Sequence, residues 1–287
     1  METIVGYRHL KGDERPDEQI REHYLIEVAL ADRLRQSVKA ERLSGKLYTV
    51  LYDELYRRVP HHQQLTRKVS VEGTAKGLQW QYGMVGRFLR KDAFFLEVGP
   101  GDCALSFKVA PSVAKVFAVD ISSIVTHHSS APGNFKLILS DGCDIPLPGN
   151  SIDIAYSNQL MEHLHPDDAR EQMQNIYNVL KPGGRYICIT PNKINGPWDI
   201  SYCCDETARG FHLKEYSMGD LMQLFNSVGF RKLSAYAGAR GYYVRFPISL
   251  VVWLEQWLSK FPFRIRAGIG RSLMFRAILG IRLVGVK

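Results

Sequence analysis

Cysteine is scarce in this sequence and is not arranged for cross-linking. The 287 residues include five cysteines, and no two of them form a Cys-x-x-Cys pair. Five thiols cannot all pair within one chain, so we expect reduced cysteines in a cytoplasmic protein rather than a disulfide scaffold. Cys203 and Cys204 lie near His212, but adjacent residues are poorly placed to converge on one zinc ion.

Long apolar runs are also missing. The longest run of interest, residues 248–254, is stopped by Glu255 and falls far short of the ~20 residues that a membrane-spanning helix needs. The first 19 residues are mostly polar and lack the apolar stretch of a secretory signal. We therefore expect no spanning segment and a cytoplasmic location.

Acidic residues are nearly absent from the C-terminal part of the chain. The formal net charge is +8, and residues 240–287 contain nine Lys or Arg but only one acid, Glu255. The rest of the chain is balanced. A basic excess confined to one segment indicates a local acidic partner rather than general affinity for nucleic acids.

Residues 1–91 are predicted to form an α-helical N-terminal cap. From about residue 17, apolar side chains recur at steps of three and four, the spacing of one helix face. Such stripes more often form helix core than a ligand cage. Two stripes continue the rhythm until Pro60: Leu47, Leu51 and Leu55, and Tyr48, Tyr52 and Tyr56.

Residues 92–287 are predicted to form an α/β domain. Short apolar segments alternate with helical ones at 104–109, 167–180 and 216–228, which favours βαβ units. We predict a Rossmann-like, mostly parallel sheet of seven strands with helices on both faces, and a helical insert at 246–279 before the last strand. The predicted strands are 93–98, 115–119, 135–139, 152–157, 185–190, 232–236 and 281–286.

A glycine turn follows the first predicted strand. Glu97 ends the strand, and Gly99 and Gly101 then allow close approach of the backbone to a ligand. Such a turn could also cradle a dinucleotide pyrophosphate. Glu97, however, puts a carboxylate where a pyrophosphate would lie, which favours a ligand with an ammonium group.

Acids follow the next two strands. Asp120 ends the second strand, at a position that suits ribose hydroxyls in either cofactor class. Asp141 follows the third. The pattern predicts three carboxylates at successive strand ends.

Together these residues resemble the class I S-adenosylmethionine-dependent methyltransferases, in particular the branch of small-molecule and ubiquinone-biosynthesis enzymes. The resemblance covers about residues 92–230. It implies S-adenosylmethionine as cofactor, with the methionine moiety near the first strand end, the ribose near the second and the adenine near the third. Cys103 stands where a third glycine is common. The cofactor residues carried over are Glu97, Gly99, Gly101, Asp120, Ile121, Asp141, Gly142 and Asn158.

The same resemblance raises the question of a metal. Some ubiquinone-type O-methyltransferases hold a divalent cation with a Glu-x-x-Glu-His pattern after the fourth strand. This chain has Gln159 in place of the first acid, leaving Glu162 and His163. Because losing an anionic ligand weakens a site for a hard cation, we expect no metal.

The loop after the fifth strand supplies candidate catalytic residues. A hydroxyl acceptor benefits from a base of near-neutral pKa, which favours histidine. We predict His212 as this base, with Glu215 as its orienting partner or alternate. The competing interpretation is that His212, Lys214 and Glu215 cap and solvate the helix that follows Tyr216.

The acceptor is less well specified. Ser157-Asn158-Gln159-Leu160 lacks the Asn/Asp-Pro-Pro-aromatic pattern of nucleic-acid amino methylation, so we expect no nucleic acid. A small-molecule, sugar or glycan-type acceptor methylated on oxygen is the main hypothesis. A lipophilic quinone-like or membrane-associated acceptor is the first alternative, and a non-catalytic cofactor-binding regulator is the second. The insert could contact an anionic membrane, close over the site or form a homodimer surface.

Overall fold

The computed structural model describes residues 13–62, 65, 71–121 and 131–287. Residues 1–12, 63–64 and 66–70 of the predicted cap, and residues 122–130 of the predicted α/β domain, lie outside the described residues. Within the described part of the chain, every helix is too short or too polar to cross a membrane. The five cysteines, all of them described, form no disulfide.

The N-terminal part is helical, as its periodicity predicts. The helices are α1 (Asp17–Gln36), α2 (Lys39–Arg42), α3 (Leu47–Arg58) and α4 (Val71–Val85). Acidic residues in the first turn of α1 and arginines in its last turn complement the helix dipole. The third helix ends just before Pro60, whose ring cannot continue it.

An eight-stranded sheet forms the centre of the molecule. Its strand order is β3-β2-β1-β4-β5-β8-β6-β7, in which β8 and β7 run antiparallel to their neighbours and the other pairs are parallel. The predicted mostly parallel Rossmann-like fold is confirmed. The strands are β1 (Phe94–Val98), β2 (Lys115–Asp120), β3 (Phe135–Leu139), β4 (Ile152–Asn158), β5 (Leu180–Thr190), β6 (Ser234–Ala239), β7 (Tyr242–Phe246) and β8 (Ile281–Val286).

The predicted number of seven strands was one too few. The additional strand, β7, lies at the edge of the sheet, where β6 is its one partner among the described strands. The two strands are joined at Arg240 and Gly241, which both adopt positive φ, as a tight two-residue hairpin turn requires. Because Arg240 is not a residue type that signals such a turn, the hairpin was not recognised in the sequence.

Helices cover both faces of the sheet. In the α/β part they are α5 (Ala104–Val109), α6 (Pro166–Val179) and α7 (Met218–Val228), and in the insert α8 (Ile248–Ser259), α9 (Phe263–Gly270) and α10 (Leu273–Leu279). The second predicted helix of the insert, 265–278, is therefore two helices. The helix is interrupted after Arg271, because Ser272 adopts an extended conformation and serves as the N-cap of α10.

The N-terminal helices share the core of the sheet. Leu51 and Leu55 of α3 belong to the same buried cluster as Leu96, Met173 and other residues on one sheet face. Met84 and Val85 of α4 lie in a separate cluster with α5 on the opposite face. Helices α1 to α3 are thus held against one face, next to the carboxyl ends of the strands. The domain boundary between residues 91 and 92 stays a prediction.

Candidate active site

A cleft of about 330 Å³ opens where the parallel strands end. Its walls come from the ends of β1, β2 and β3, from the segment after β4, and from α3 of the cap. This is the edge at which open α/β sheets bind ligands. The lining residues are Tyr48, Tyr52, Tyr56, Val98, Gly99, Gly101, Val119, Asp120, Ile121, Ser140, Gly142, Leu160, His163, Leu164 and Gln172.

The glycine turn after β1 has the backbone shape that its sequence predicts. Gly99 and Gly101 adopt φ of +68° and +57°, a region that disfavours residues with a Cβ. A Cβ added to Gly101 would meet no described atom within 4 Å, so it would project into open space at the cleft. Cys103 also adopts a positive φ, +57°, where the family often has glycine.

Five of the eight predicted cofactor residues line this cleft. They are Gly99, Gly101, Asp120, Ile121 and Gly142. The other three lie outside its lining, so the structure does not bring the predicted set together completely. The cofactor roles of all eight stay predictions.

Glu97 is buried directly behind the glycine turn. Its Oε2 accepts a hydrogen bond of 2.6 Å from the Ser106 hydroxyl on α5. Burial raises the pKa of Glu97 to about 7, against the opposing effect of that hydrogen bond. The carboxyl group therefore has little preference between its two protonation states at neutral pH, and a cation placed nearby would favour the ionised state.

Asp141 and Asn158 hold the backbone around the cleft. Asp141 Oδ1 accepts from the backbone N–H groups of Cys143 and Asp144, which fixes the turn that carries Gly142. Asn158 ends β4 and pairs in register with Ile189 of β5. Asp141 lies between two lining residues, Ser140 and Gly142, whereas Asn158 is two residues from Leu160.

Three tyrosines of α3 were not predicted as site residues. Tyr48, Tyr52 and Tyr56 recur every four residues and present one helix face to the cleft. The interpretation of the α3 stripes as helix core holds for the leucines but was incomplete for the tyrosines. The polar end of each tyrosine was the signal available in the sequence, since a ring with a hydroxyl group often lies at a boundary between core and solvent.

A second cavity, of about 260 Å³, adjoins the cleft. Tyr52 and His163 line both, so these two side chains form their common wall. The second cavity is enclosed by α1, α3 and the loop after β5, and it is rich in ionisable groups. Its lining residues are Arg15, His23, Glu27, Tyr52, Leu55, His62, His163, Trp198, Asp199, Ile200, Tyr202, Phe211 and His212.

His212 lines this cavity and pairs with Glu215, as predicted, although Glu215 is not part of the lining. His212 Nδ1 donates to Glu215 Oε1 over 2.8 Å, and both side chains are buried. Burial by itself lowers the pKa of His212, but the hydrogen bond to Glu215 and the negative charge of Glu162 raise it to about 9. The helix after Tyr216 is capped by Ser217 and Asp220 instead, so the competing capping role was wrong.

His163 lies where the two cavities meet, and its pKa is shifted in the direction opposite to that of His212. Its Nδ1 donates to the Phe211 carbonyl over 3.2 Å and lies 2.9 Å from the Tyr52 hydroxyl oxygen. Burial, reinforced by His212, lowers the pKa of His163 to about 3. The imidazole is therefore neutral at physiological pH.

A chain of hydrogen bonds ties the cap to the loop after β5. Arg15 pairs with Asp13 and donates to His23 Nδ1 over 2.9 Å. His23 Nε2 in turn donates to Glu27 over 2.7 Å, and Glu27 accepts from the backbone N–H of Phe211. These residues were missed because the network joins positions nearly 200 residues apart, and no local pattern records such a contact.

Two buried carboxylate oxygens lack a hydrogen-bond partner among the described residues. One is Oδ2 of Asp199, which lines the second cavity, and the other is Oε1 of Glu162, behind His212. Burial raises the pKa of Asp199 to about 6 and that of Glu162 to about 7. An unsatisfied buried oxygen is costly, so a ligand that donates to Asp199 would gain from it.

Among the described residues, two groups of side chains are close enough to hold a metal ion. They are Glu162, His163 and His212, and His23, Glu27 and His62. In the second group the nitrogens of His23 are already engaged by Arg15 and Glu27, which leaves that histidine no free lone pair for a cation. The expectation that no metal is used stays a prediction.

Comparisons with known proteins agree with this geometry. A family model described as "Methyltransferase domain" matches residues 96–188, the stretch from β1 to β5. A protein of Mycolicibacterium smegmatis, named "Probable S-adenosylmethionine-dependent methyltransferase", is 27% identical over 136 residues, 47% of this chain and 51% of its own. A demethylmenaquinone methyltransferase of Symbiobacterium thermophilum is 35% identical over 104 residues, 33% of this chain and 40% of its own.

Solved structures share the fold at low sequence identity. A Haloferax volcanii protein, solved with the methyltransferase activator Trm112, is 15% identical with a TM-score of 0.52, covering 74% of this chain and 90% of its own. Phosphoethanolamine N-methyltransferase 2 of Haemonchus contortus is 17% identical with a TM-score of 0.50, covering 78% of this chain and 59% of its own.

These matches confirm the resemblance: the chain contains a class I S-adenosylmethionine-dependent methyltransferase domain. The chain spans about half the length of the curated relatives it matches. The activity of the whole protein, its acceptor and its partners are therefore matters for proposal.

Proposed function

We propose that this protein is an S-adenosylmethionine-dependent methyltransferase that methylates an oxygen atom of a small polar acceptor. One observation carries the proposal: the cleft at the strand ends and the polar cavity share a wall made of Tyr52 and His163. A cofactor in the first and an acceptor in the second would meet at that wall. Such an arrangement supplies the alignment that in-line methyl transfer requires.

The cleft offers suitable partners for each part of the cofactor. S-adenosylmethionine, when bound, supplies a methyl group activated by a positively charged sulfur. Glu97 behind the glycine turn would stabilise its ammonium group, and Asp120 would accept from the ribose hydroxyls. Ile121 and Gly142 would border the adenine. The tyrosines of α3 line the cleft from the cap side and would shield a bound cofactor from water.

His212 is the proposed general base, with Glu215 as its orienting partner. In its neutral form His212 would take the proton from an acceptor hydroxyl as the oxygen attacks, and Glu215 would stabilise the resulting imidazolium. Because the pKa of His212 lies at about 9, this neutral form becomes abundant only at alkaline pH.

His163 is a second candidate for the base. It borders both cavities, and its depressed pKa keeps it neutral across the physiological range. A base with so low a pKa removes a hydroxyl proton less effectively, which favours His212 in the role and His163 as a neutral wall.

The cavity supports a hydroxylated acceptor such as a sugar or a glycan-type molecule. The unsatisfied oxygen of Asp199 would accept from a hydroxyl group, and Arg15 and Glu27 lie on the same lining. Because one relative is named a demethylmenaquinone methyltransferase, a lipophilic ring is the alternative acceptor. Three further expectations stay predictions: that the protein binds no nucleic acid, that it can form a homodimer and that it is cytoplasmic. The alternative of a non-catalytic regulator also stays a prediction.

Two measurements test the proposal. Isothermal titration should show binding of S-adenosylmethionine and S-adenosylhomocysteine, and radiolabelled cofactor should transfer its methyl group into a fraction of a cell extract. Binding without transfer would favour the regulator. No binding at millimolar cofactor, or a preference for NADH, would refute the assignment.

A further inference from the structure

The insert (residues 246–279) exposes a stripe of large apolar side chains. Leu250, Trp253 and Trp257 are spaced by three and four residues along α8 and face away from its buried side, and Trp253 is 56% exposed. Leu273 and Met274 at the start of α10 are 73% and 64% exposed. Exposed apolar side chains in such numbers on neighbouring helices mark an interaction surface.

The insert that carries this stripe also exposes basic side chains. Lys260, Arg264 and Arg276 are exposed, whereas the one acid of the insert, Glu255, is 4% exposed. Glu255 points inward, where it accepts from Asn192 Nδ2 and from the backbone N–H of Met218. The outer face of the insert is therefore apolar and cationic.

The insert also supports the acceptor cavity from outside. Arg271 donates to the Asn195 carbonyl over 2.9 Å, and its guanidinium lies over the ring of Trp198, 5.7 Å from the centroid. Trp198 and Asp199 line the acceptor cavity, but no residue of the insert, all of which is described, lines either cavity. The insert thus closes over neither cavity in this structure.

We propose that the insert is a membrane-docking surface that lies on an anionic phospholipid bilayer and brings the acceptor cavity to it. Tryptophan and leucine would enter the headgroup region, and the basic side chains would pair with lipid phosphates. A two-fold dimer through this face would instead oppose the cations of one copy to those of the other, with no exposed acid of the insert between them. This docking role rests on the proposed function only for the identity of the cavity.

The test is sedimentation of the full chain with vesicles of phosphatidylcholine alone or mixed with phosphatidylglycerol. We expect binding to the mixed vesicles at low salt that weakens with added salt and is lost without the anionic lipid. Lys260→Glu combined with Arg264→Glu should weaken binding by more than ~10-fold, since each basic residue near the surface contributes roughly a fivefold gain. Trp253→Ala combined with Trp257→Ala should weaken it comparably.

Trp80→Ala provides a matched control, because Trp80 is an exposed tryptophan of α4, which packs on the opposite sheet face. This variant should bind vesicles as the wild type does. Equal binding by the Trp253/Trp257 variant, absence of binding to anionic vesicles, or a dimer that buries the stripe would overturn the proposal. Titration of the same preparation with S-adenosylmethionine distinguishes the two proposals. Cofactor binding without vesicle binding would refute the docking surface alone, whereas absence of cofactor binding would refute the proposed function.

Discussion

The imidazole rings of His163 and His212 lie edge to face, with centroids 4.9 Å apart and planes at 82°. Two buried histidines so close together cannot both be protonated cheaply, and their surroundings decide which one carries the charge. Glu215 and Glu162 favour protonation of His212, whereas the hydrogen-bond partners of His163 are an uncharged carbonyl and a hydroxyl. The pair therefore divides into a neutral ring that borders both cavities and a charged ring that lines the polar cavity.

The first prediction concerns this division. If His212 is the base, the turnover rate should rise with pH towards a plateau above about 9, because the folded state keeps His212 protonated below that pH. His212→Gln should remove the inflection and cost roughly 10²- to 10⁴-fold in rate. Glu215→Gln should move the inflection to lower pH, since it removes the partner that raises the pKa. The measurement is a pH profile of kcat.

His163 would give a different profile. A base with a pKa of about 3 is deprotonated throughout the working range, so the rate would show no inflection near pH 9. An inflection-free profile, together with a His212→Gln variant that keeps more than a tenth of wild-type turnover while still binding cofactor, would transfer the base role to His163.

The second prediction concerns Glu97. Since its pKa is about 7 without ligand, a cationic cofactor that requires the carboxylate should bind more weakly as pH falls, by up to ~10-fold per unit below pH 7. Glu97→Gln should weaken binding at pH 8 and abolish this pH dependence. Titration calorimetry in buffers of different ionisation enthalpy measures both the affinity and the protons released. A wild-type affinity that is constant from pH 8 to pH 5.5 would contradict the role.

The third prediction concerns the glycine turn. Gly101→Ala should weaken cofactor binding by at least ~10-fold, because the added methyl group enters the open space of the cleft. Gly183→Ala is the control: Gly183 also has a positive φ and open space around it, but it lies in β5 away from the cleft. Both variants should lose a similar ~1–2 kcal/mol of stability from the strained backbone. Equal cofactor affinity in the two variants would exclude the turn from the site.

The fourth prediction concerns the attachment of the cap. Arg42 on α2 donates to both oxygens of Asp168 on α6, at 2.6 Å and 2.8 Å, and the pair is buried. Asp168→Asn should cost roughly 3–5 kcal/mol of unfolding free energy, because it leaves a buried guanidinium unpaired. Glu171→Gln is the matched control, since the Lys39–Glu171 pair joins the same two helices at the surface and should have no measurable effect. Chemical denaturation monitors both variants.

The sequence was sufficient for most of the fold because its signals are local. Strands β3 and β8 and helix α5 have the predicted bounds, since apolar runs and glycine turns mark them directly. Five predicted cofactor residues share one cleft because the ends of parallel strands meet at the same sheet edge. The edge strand β7 was not predicted, because its turn contains Arg240. This residue adopts a positive φ in the hairpin, but arginine is not a residue type that indicates a positive φ.

By itself, then, the sequence determined the class of the domain, through the order of its strand ends. It also determined the position of the glycine turn and the pair His212 and Glu215, which depend on contacts between near neighbours in the chain. Tertiary structure alone decided that Tyr52 and His163 separate two cavities and that Arg15, His23 and Glu27 close one of them. It also decided the opposite protonation of two adjacent histidines. Those properties depend on burial and on charges brought together from distant segments, and burial is a property of the folded chain.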